Sequence, residues 1–437
     1  MRLSINREIL RLAIPNIISN ITVPLLSMVD MAIVGHLSLG VYIGAIATST
    51  LIFNFIYWSF SFLRMGTSGF TAQAYGADNK EELSVILLRS LSIAFIGGIL
   101  IILLQYFIFK AAFFVIKASP EVIMYAHSYF KIYIWSAPAV LGMYAFSGWF
   151  VGMQDARTPM LIAITTNIVN ISVSLFFVYI LGMNIEGVAL GSLIAQISGL
   201  LLAFTIWFFK YKKIRLYINW DRLREISAYI PFFRVNTDIF IRTMLLIAVT
   251  TFFTSISARM GDTILAANAL LMQLFTLFSY MMDGFAYAAE ALTGRFIGAK
   301  QTIRLRELIK KLFIWGICIV LLFTLCYSLF TEQILGILTD KAEVIAICKE
   351  YKYWVLLIPV AGFSAFLWDG IFVGATASRQ MRNSMFIAAG SFFILYFSLS
   401  SYLGNDALWL SFIAYLGMRG IIQSFMYKRI HQKLVYN

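Results

Sequence analysis

Ionisable side chains fall inside long apolar stretches of the sequence, and eight of them are the candidates best placed to do chemistry. They are Asp30, Arg64, Lys131, Asp238, Arg242, Asp283, Glu290 and Asp369. If these stretches cross a membrane, a charge at bilayer depth costs about 2.5–3.5 kcal/mol on insertion scales. Each of these side chains is therefore expected to face a cavity or a partner instead of lipid.

Asp30 lies in the first apolar stretch, after Pro15 and Pro24. A proline removes one backbone hydrogen bond and lets a helix bend. A titratable carboxylate on a bendable helix could bind a proton or Na⁺ and link that binding to movement. A solvated carboxylate at the bilayer edge, with prolines that only fix a kink, is the alternative.

The acidic residues of the second half form the next group of candidates. Asp238 and Arg242 are four residues apart, so they share one helix face and could pair with each other. Asp283 and Glu290 are seven apart and also share a face, and Asp369 lies in a later stretch. This acidic interior would suit a cation, a coupling proton, or simply Arg242.

Small polar residues cluster in two further stretches, where their oxygens could bind a hard monovalent cation. Asn170 and Ser174 are four apart and share a helix face. Hydrogen bonding between helices is the alternative role. The cluster consists of Asn167, Asn170, Ser172, Ser174, Ser192, Gln196 and Ser198.

The elements that must position these residues are membrane-spanning helices. The chain has 437 residues, of which 61% are hydrophobic and 13% charged, whereas soluble domains have about 25% charged residues. Twelve apolar runs are long enough to cross a bilayer, which needs about 20 helical residues. The runs are 9–35, 44–73, 84–115, 122–152, 158–182, 185–209, 231–258, 264–296, 308–331, 343–374, 382–403 and 406–427.

Basic residues indicate the orientation. With twelve spans, the basic clusters at the N-terminus, in 210–234, in 295–311 and at the C-terminus all fall on one side, while loops 36–43, 183–185 and 404–406 contain no Lys or Arg. The positive-inside rule places both termini in the cytoplasm. The net charge of +13 therefore indicates membrane topology, and we expect no nucleic-acid partner.

Motifs of enzymes and metal sites do not occur in the sequence. The three cysteines and three histidines have no metal-ligand spacing. Neither a Walker loop, a nucleophile elbow nor a dinucleotide fingerprint is found. The sequence thus predicts a protein that is not an enzyme and has no organic cofactor.

A weak internal repeat divides the chain at a constant offset of 222 positions. Phe150–Gly152 matches Phe372–Gly374, and Arg157 matches Arg379. Six spans per half make the two halves parallel, and transporters of this type place the substrate at the interface of the repeats. The predicted organisation is an N-lobe at 1–210, a cytoplasmic linker at 211–230 and a C-lobe at 231–437.

Five segments resemble the multidrug and toxic compound extrusion (MATE) family, specifically its DNA-damage-inducible protein F (DinF) branch. The resemblance covers essentially the whole chain. The segments are Met28–Leu37 (MVDMAIVGHL), Gly148–Pro159 (GWFVGMQDARTP), Leu265–Asn268 (LAAN), Asp283–Gly298 (DGFAYAAEALTGRFIG) and Asp369–Ser384 (DGIFVGATASRQMRNS).

The resemblance implies two pseudo-symmetric six-helix bundles in a V and efflux driven by H⁺ or Na⁺. Asp30 stands at the position of the branch's first-helix carboxylate and Pro15 at that of its bending proline. Asn170 matches an asparagine of the N-lobe polar site, and Ser192 stands where that site often has a threonine. Ser174 replaces a frequent aspartate, so a possible Na⁺ site at Asp30 and Asn170 has one carboxylate fewer.

The first interpretation is a monomeric antiporter of the cytoplasmic (inner) membrane that exports amphipathic, mainly cationic organic compounds. Asp238, Arg242, Asp283, Glu290 and Asp369 are then candidates for a C-lobe cavity. A carrier of organic anions, using Arg64 and Arg242, is an alternative. A flippase of a lipid-linked precursor is another, although a pyrophosphate would require a more cationic cavity.

Overall fold

The computed structural model describes residues 4–35, 40–116, 118–225, 227, 229–339 and 341–436. Residues 36 and 37 of the first motif and residues 226 and 228 of the predicted linker lie outside this description. The helices are α1 (Ile5–Gly35), α2 (Val41–Ser59), α3 (Phe62–Gly76), α4 (Lys80–Leu103), α5 (Gln105–Val115), α6 (Pro120–Tyr133), α7 (Ala137–Gly152), α8 (Arg157–Leu175), α9 (Ile185–Lys210), α10 (Lys212–Arg215), α11 (Trp220–Arg224), α12 (Tyr229–Arg259), α13 (Asp262–Gly298), α14 (Thr302–Leu338), α15 (Ala342–Gly374), α16 (Ser378–Leu403) and α17 (Asn405–Tyr436).

Within the described ranges, eleven helical segments are long and apolar enough to cross a bilayer. Some combine two helices: α2 and α3 cross together as Val41–Gly76, and α6 and α7 as Pro120–Gly152. In addition, α1 is 31 residues long, and a crossing requires about 20. The predicted count of twelve spans is consistent with this architecture, and the all-α polytopic membrane fold is confirmed.

Helices α4 and α6 begin where a polar side chain replaces a missing backbone partner of the first turn. At the start of α4, the side chain of Asn79 accepts a hydrogen bond from the N–H of Glu82 at 3.0 Å. At the start of α6, Ser119 accepts one from Val122 at 3.3 Å, and Pro120 occupies the first turn, where its absent N–H costs nothing. These caps set the limits of spans whose interiors are apolar.

The internal repeat predicted from the sequence is present in the backbone packing. A Cβ on Gly148 would clash with the carbonyl oxygen of Arg64, and a Cβ on Gly370 would clash with that of Ala286. Positions 148 and 370 differ by 222, as do positions 64 and 286. The same close approach, which only glycine permits, therefore joins α7 to α3 and α15 to α13.

Backbone conformation repeats at the same offset. Among the described residues, four that are not glycine have positive φ: Asp78 at 53°, Gln154 at 63°, Lys300 at 54° and Thr376 at 50°. Each lies two residues beyond a helix that ends at a glycine, and Asp78 and Gln154 lie 222 positions before Lys300 and Thr376. Left-handed residues at helix ends satisfy the last carbonyls, so both halves end these helices in the same way.

Two compact units make up the chain. The N-unit is Ile18–Phe233, and the C-unit consists of Met1–Ile17 and Arg234–Asn437. Helix α1 contributes to both and passes from one to the other two residues after Pro15. The N-unit contains residues 211–225, which form most of the predicted linker. The predicted limits of the two lobes stay a prediction.

Each unit has its own apolar core, tied by hydrogen bonds from buried side chains. In the N-unit, the indole N–H of Trp149 donates to the carbonyl oxygen of Leu83 at 2.8 Å. In the C-unit, Asn268 bonds to Asn405 and accepts a hydrogen bond from the indole of Trp409 at 2.9 Å. Such satisfied polar groups fix which helices are neighbours.

Candidate functional site

A polar cluster inside the N-unit brings together residues from α8 and α9. The side-chain amide of Asn170 donates to the hydroxyl oxygen of Ser192 at 2.8 Å, and both residues are buried. Ser174 is fully buried one turn further along α8, beside the backbone of Gly191. Two residues beyond Ser174, α8 passes into a π-helical turn at Phe176–Ile180, a feature that occurs often near functional sites.

Asp30 and two tyrosines of α6 extend this cluster. Tyr129 and Tyr133 lie close enough to Asp30 to interact with it electrostatically. Tyr129 also lies within reach of the Ser192 side chain, and Tyr133 within reach of Gln196. The tyrosines thus connect Asp30 on α1 with the polar residues of α8 and α9.

Several oxygen atoms of this cluster are buried without a hydrogen-bond partner among the residues that the structure describes. They are Asp30 Oδ1, Asn170 Oδ1 and Ser174 Oγ. A buried oxygen that lacks a donor costs about 1–3 kcal/mol, so a bound cation or proton would relieve an existing cost. Carboxylate, amide and hydroxyl oxygens are suitable ligands for Na⁺, and a carboxylate can instead take up H⁺.

A site for a transition metal is not found in the described part of the chain, because no three residues of the His, Cys, Asp and Glu types converge there. The N-unit cluster contributes a single carboxylate from the predicted set, Asp30.

Pro15 lies within α1, and the helix continues through it from Ile5 to Gly35. Because proline has no N–H, the carbonyl of Arg11 loses its usual partner in the helix. One residue on, the side chain of Asn16 donates to the carbonyl oxygen of Leu12 at 2.8 Å. A helix that lacks one backbone hydrogen bond at this point needs less energy to bend.

The C-unit holds a second polar group, centred on Asp369. Both Arg242 and Arg419 donate to its Oδ2, the latter at 2.6 Å, and the amide of Gln423 donates to Oδ1 at 2.6 Å. The side chains of Asp369 and Arg419 are 8% and 3% exposed. This carboxylate is therefore neutralised by two guanidinium groups. Another cation could bind there only if these ion pairs were broken.

The predicted pairing of Asp238 with Arg242 is wrong. Asp238 accepts hydrogen bonds from Arg382 at 2.6 Å and from Ser378 at 2.8 Å, both on α16, while Arg242 pairs with Asp369 on α15. Spacing along one helix places two side chains on one face, but neighbouring helices supply better partners. Asp238 and Arg242 share a face of α12, but each is neutralised by a different residue, Asp238 by Arg382 and Arg242 by Asp369.

The remaining acidic candidates lie on α13. Asp283 is close enough to Arg419 to interact with it electrostatically, which connects it to the Asp369 group. Glu290 is 1% exposed, and its backbone carbonyl lies against Gly374 of α15. Glu290 is thus buried at a helix contact of the C-unit.

Several residues of both groups were not predicted. Tyr129 and Tyr133 are four apart on one face of the fourth span, a spacing that aromatic core residues also show. Arg419 interrupts the last apolar run and could have been found by that position alone; Arg382 and Gln423 give no comparable signal.

Comparisons with known proteins agree with this architecture. The MatE family model matches residues 15–176 and again residues 239–400. The DNA damage-inducible protein F of Escherichia coli (strain K12) is 37% identical over 98% of this chain and 93% of its own length. The multidrug and toxin extrusion protein 1 of Danio rerio is 26% identical over 93% of this chain and 69% of its own length.

A crystal structure of the Vibrio cholerae MATE transporter VcmN in its bent form has the same fold. Its TM-score is 0.88 at 17% identity, with 98% of each chain covered. Two matches of one family model within one chain also agree with the repeat seen in the backbone. The chain therefore belongs to the MatE family, the multidrug and toxic compound extrusion transporters, and is a multi-pass membrane transporter and not an enzyme.

Proposed function

We propose that the protein is a secondary active antiporter that exports amphipathic organic cations in exchange for H⁺ or Na⁺, with Asp30 as the coupling carboxylate. The observation that carries this proposal is the buried Asp30 Oδ1, which has no hydrogen-bond partner among the described residues. A carboxylate in this state has a free-energy reason to bind a cation. The acids Asp369 and Asp238 of the C-unit are already paired with arginines.

Coupling requires that each ligand prefers a different conformation of the transporter. When H⁺ or Na⁺ occupies Asp30, the carboxylate charge is neutralised and the inward-facing state is favoured. When the cation leaves, the negative charge can attract a cationic substrate. The two ligands then weaken each other's binding by the same factor, as linkage demands.

Helix α1 is the element that would transmit this exchange. It carries Asp30, and its passage between the two units lies two residues after Pro15. A bend near Pro15 would let the part of α1 that carries Asp30 move while the start of the helix stays packed against Gly284 of α13, whose absent side chain leaves room for Ala13 and Ile17. Pro15 is accordingly proposed as the bending point.

The substrate class rests on the relatives and on the charge of the site. The Danio rerio relative carries the name multidrug and toxin extrusion protein, which supports efflux of organic compounds. A single carboxylate with Tyr129 and Tyr133 close to it favours a positively charged amphipathic molecule. We propose that the protein works as a monomer.

The orientation proposed is a cytoplasmic (inner) membrane protein with both termini in the cytoplasm. Glu8 near the N-terminus forms ion pairs with Arg304 at 3.0 Å and Arg295 at 3.5 Å. This contact supports placing the N-terminus on the same side as the basic connection between α13 and α14. The positive-inside rule makes that side cytoplasmic.

The alternative role as a carrier of organic anions would use Arg64 and Arg242 to bind a carboxylate. In the structure Arg242 is paired with Asp369, so an anion would have to compete with a buried carboxylate of the protein. The cation antiporter is therefore the better-supported function, and an anionic or lipid substrate is kept as an outcome of the test.

Purified protein in liposomes would test the proposal, with efflux of a lipophilic cationic dye measured under separate proton and Na⁺ gradients. Wild type should transport under one gradient, and Asp30→Asn should not. Asp262→Asn, which removes an exposed carboxylate at the start of α13, is the matched control and should transport normally. Unchanged efflux by Asp30→Asn would refute the assignment, and folded wild type inactive under both gradients would favour an anionic or lipid substrate.

A further inference from the structure

The segment between α9 and α12 exposes an apolar and basic surface outside the membrane-spanning helices. We define the linker surface as Lys212, Lys213, Leu216, Tyr217 and Trp220. The exposed fractions are 74% for Leu216, 50% for Tyr217 and 62% for Trp220, and both lysines are exposed. The spans that flank the segment end at Lys210 and begin at Tyr229, so their lipid contacts do not explain this exposure.

The opposite side of the segment is hydrogen-bonded to α4. The hydroxyl of Ser84 donates to the carbonyl oxygen of Ile214 at 2.7 Å, and the amide of Asn219 donates to Glu81 at 2.9 Å. Ile214 and Ile218 pack against the apolar core of the N-unit. These contacts fix which residues point inwards, so the linker surface is held facing outwards.

One further contact holds the surface in place. The ammonium group of Lys80 lies 5.6 Å from the ring centre of Tyr217, at a distance typical of a cation–π interaction. Tyr217 is thus oriented by α4 while half of its surface stays exposed. The linker surface is a preformed feature, because the N-unit itself positions both its apolar and its aromatic members.

The combination of residue types identifies the partner chemistry. Trp and Tyr are enriched where a membrane meets water, and a leucine beside lysines allows shallow insertion between headgroups. From Lys210 to Asn219, both included, the sequence contains four basic residues and no acidic one. Near an anionic membrane surface each basic residue contributes about a factor of five in binding.

We propose that the linker surface binds the headgroups of anionic phospholipids on the face of the membrane that carries the basic loops. The lysines contact the phosphate groups, and Leu216 and Trp220 insert at the boundary between headgroups and acyl chains. This inference concerns the membrane contact of the N-unit and does not depend on the identity of the transported substrate or of the coupling ion.

Binding of phosphatidylglycerol and of phosphatidylethanolamine to the full-length detergent-purified protein, measured by native mass spectrometry, tests the proposal. Wild type should retain phosphatidylglycerol in preference to phosphatidylethanolamine. The double variant Lys212→Gln/Lys213→Gln should weaken phosphatidylglycerol binding about 25-fold, as the product of two factors of five, and bind phosphatidylethanolamine unchanged. Both lysines are exposed, so the variant should fold.

The matched control is Lys310→Gln/Lys311→Gln, which removes two adjacent lysines from α14. It should keep the lipid preference of wild type. Equal binding of the two lipids by wild type would overturn the proposal, and so would an equal loss in both double variants, because that would show a general effect of charge. Competition by millimolar inorganic phosphate would also overturn it, since it would indicate a site for free phosphate.

Discussion

Replacing Asp369 by asparagine should destabilise the protein more than any loss of a surface ion pair. The variant keeps the shape of the side chain but removes the charge that Arg242 and Arg419 share. The Arg419 side chain is 3% exposed, so its charge would stay buried without the carboxylate that it is hydrogen-bonded to. Removing one partner of a buried ion pair costs about 3–5 kcal/mol.

The size of the expected shift follows from the length of the chain. With about 2 cal/mol/K of unfolding entropy per residue, 437 residues give about 0.9 kcal/mol/K, so the loss of about 3–5 kcal/mol lowers the Tm by about 3–6 °C. Thermal unfolding of the detergent-purified protein, followed by intrinsic fluorescence, measures this shift.

Glu332→Gln is the matched control for Asp369→Asn. Glu332 pairs with Lys349 at 2.8 Å, but both side chains are about half exposed, at 52% and 47%. Exposed pairs contribute little because water screens them, and the Tm should not change measurably. If Asp369→Asn unfolds at the same temperature as Glu332→Gln, the buried network does not stabilise the C-unit and our reasoning is refuted.

Three further changes test other parts of the structure. Gly370→Ala should lower the Tm and the yield of folded protein, whereas Gly390→Ala, where a Cβ meets no atom within 4 Å, should not; equal Tm values would contradict the close helix contact. Ser174→Ala should weaken ion-coupled efflux without lowering the Tm, because its Oγ is buried without a partner among the described residues and is a candidate ligand of the coupling ion, and unchanged coupling would show that this oxygen is not a ligand. Burial alone would raise the pKa of Asp155, but its hydrogen bonds, of which that from Lys210 is the strongest, outweigh burial and lower the pKa below its usual value. The ionised carboxylate therefore stabilises the fold above about pH 4, and this stabilisation is lost as the pH falls further. Tm measured against pH should therefore fall less steeply below about pH 4 in Asp155→Asn than in wild type, and identical slopes would contradict the assignment.

The fold could be predicted almost completely from the sequence because each span is a long apolar run, and only a helix satisfies its own backbone in lipid. The repeat could be predicted because two helices approach each other closely at positions 148 and 370, and this approach requires glycine in both halves. The ends of the spans were predicted less accurately. Helix α14 extends from Thr302 to Leu338, beyond the predicted run of 308–331, because a helix can continue past its apolar part into the interface between membrane and water.

The partners of charged residues could not be predicted in the same way. Spacing shows that Asp238 and Arg242 share a face of α12, but which neighbouring helix faces each of them depends on tertiary packing. Their partners, Arg382 and Asp369, come from two different helices. The positions of these partners in the sequence do not show that they contact α12. Tyr129 was missed for the related reason that an aromatic residue at helical spacing is common in any core.

The measurement that tests the central claim most directly is the exchange of ligands at Asp30. A lipophilic cationic dye is added to detergent-purified protein in weakly buffered solution, and both dye binding and proton release are recorded, with and without Na⁺. The proposed mechanism predicts that wild type releases protons when it binds the dye, or that Na⁺ competes with the dye, and that Asp30→Asn shows neither effect. Proton release or Na⁺ competition of wild-type size in Asp30→Asn would contradict the claim that this carboxylate couples the two ligands.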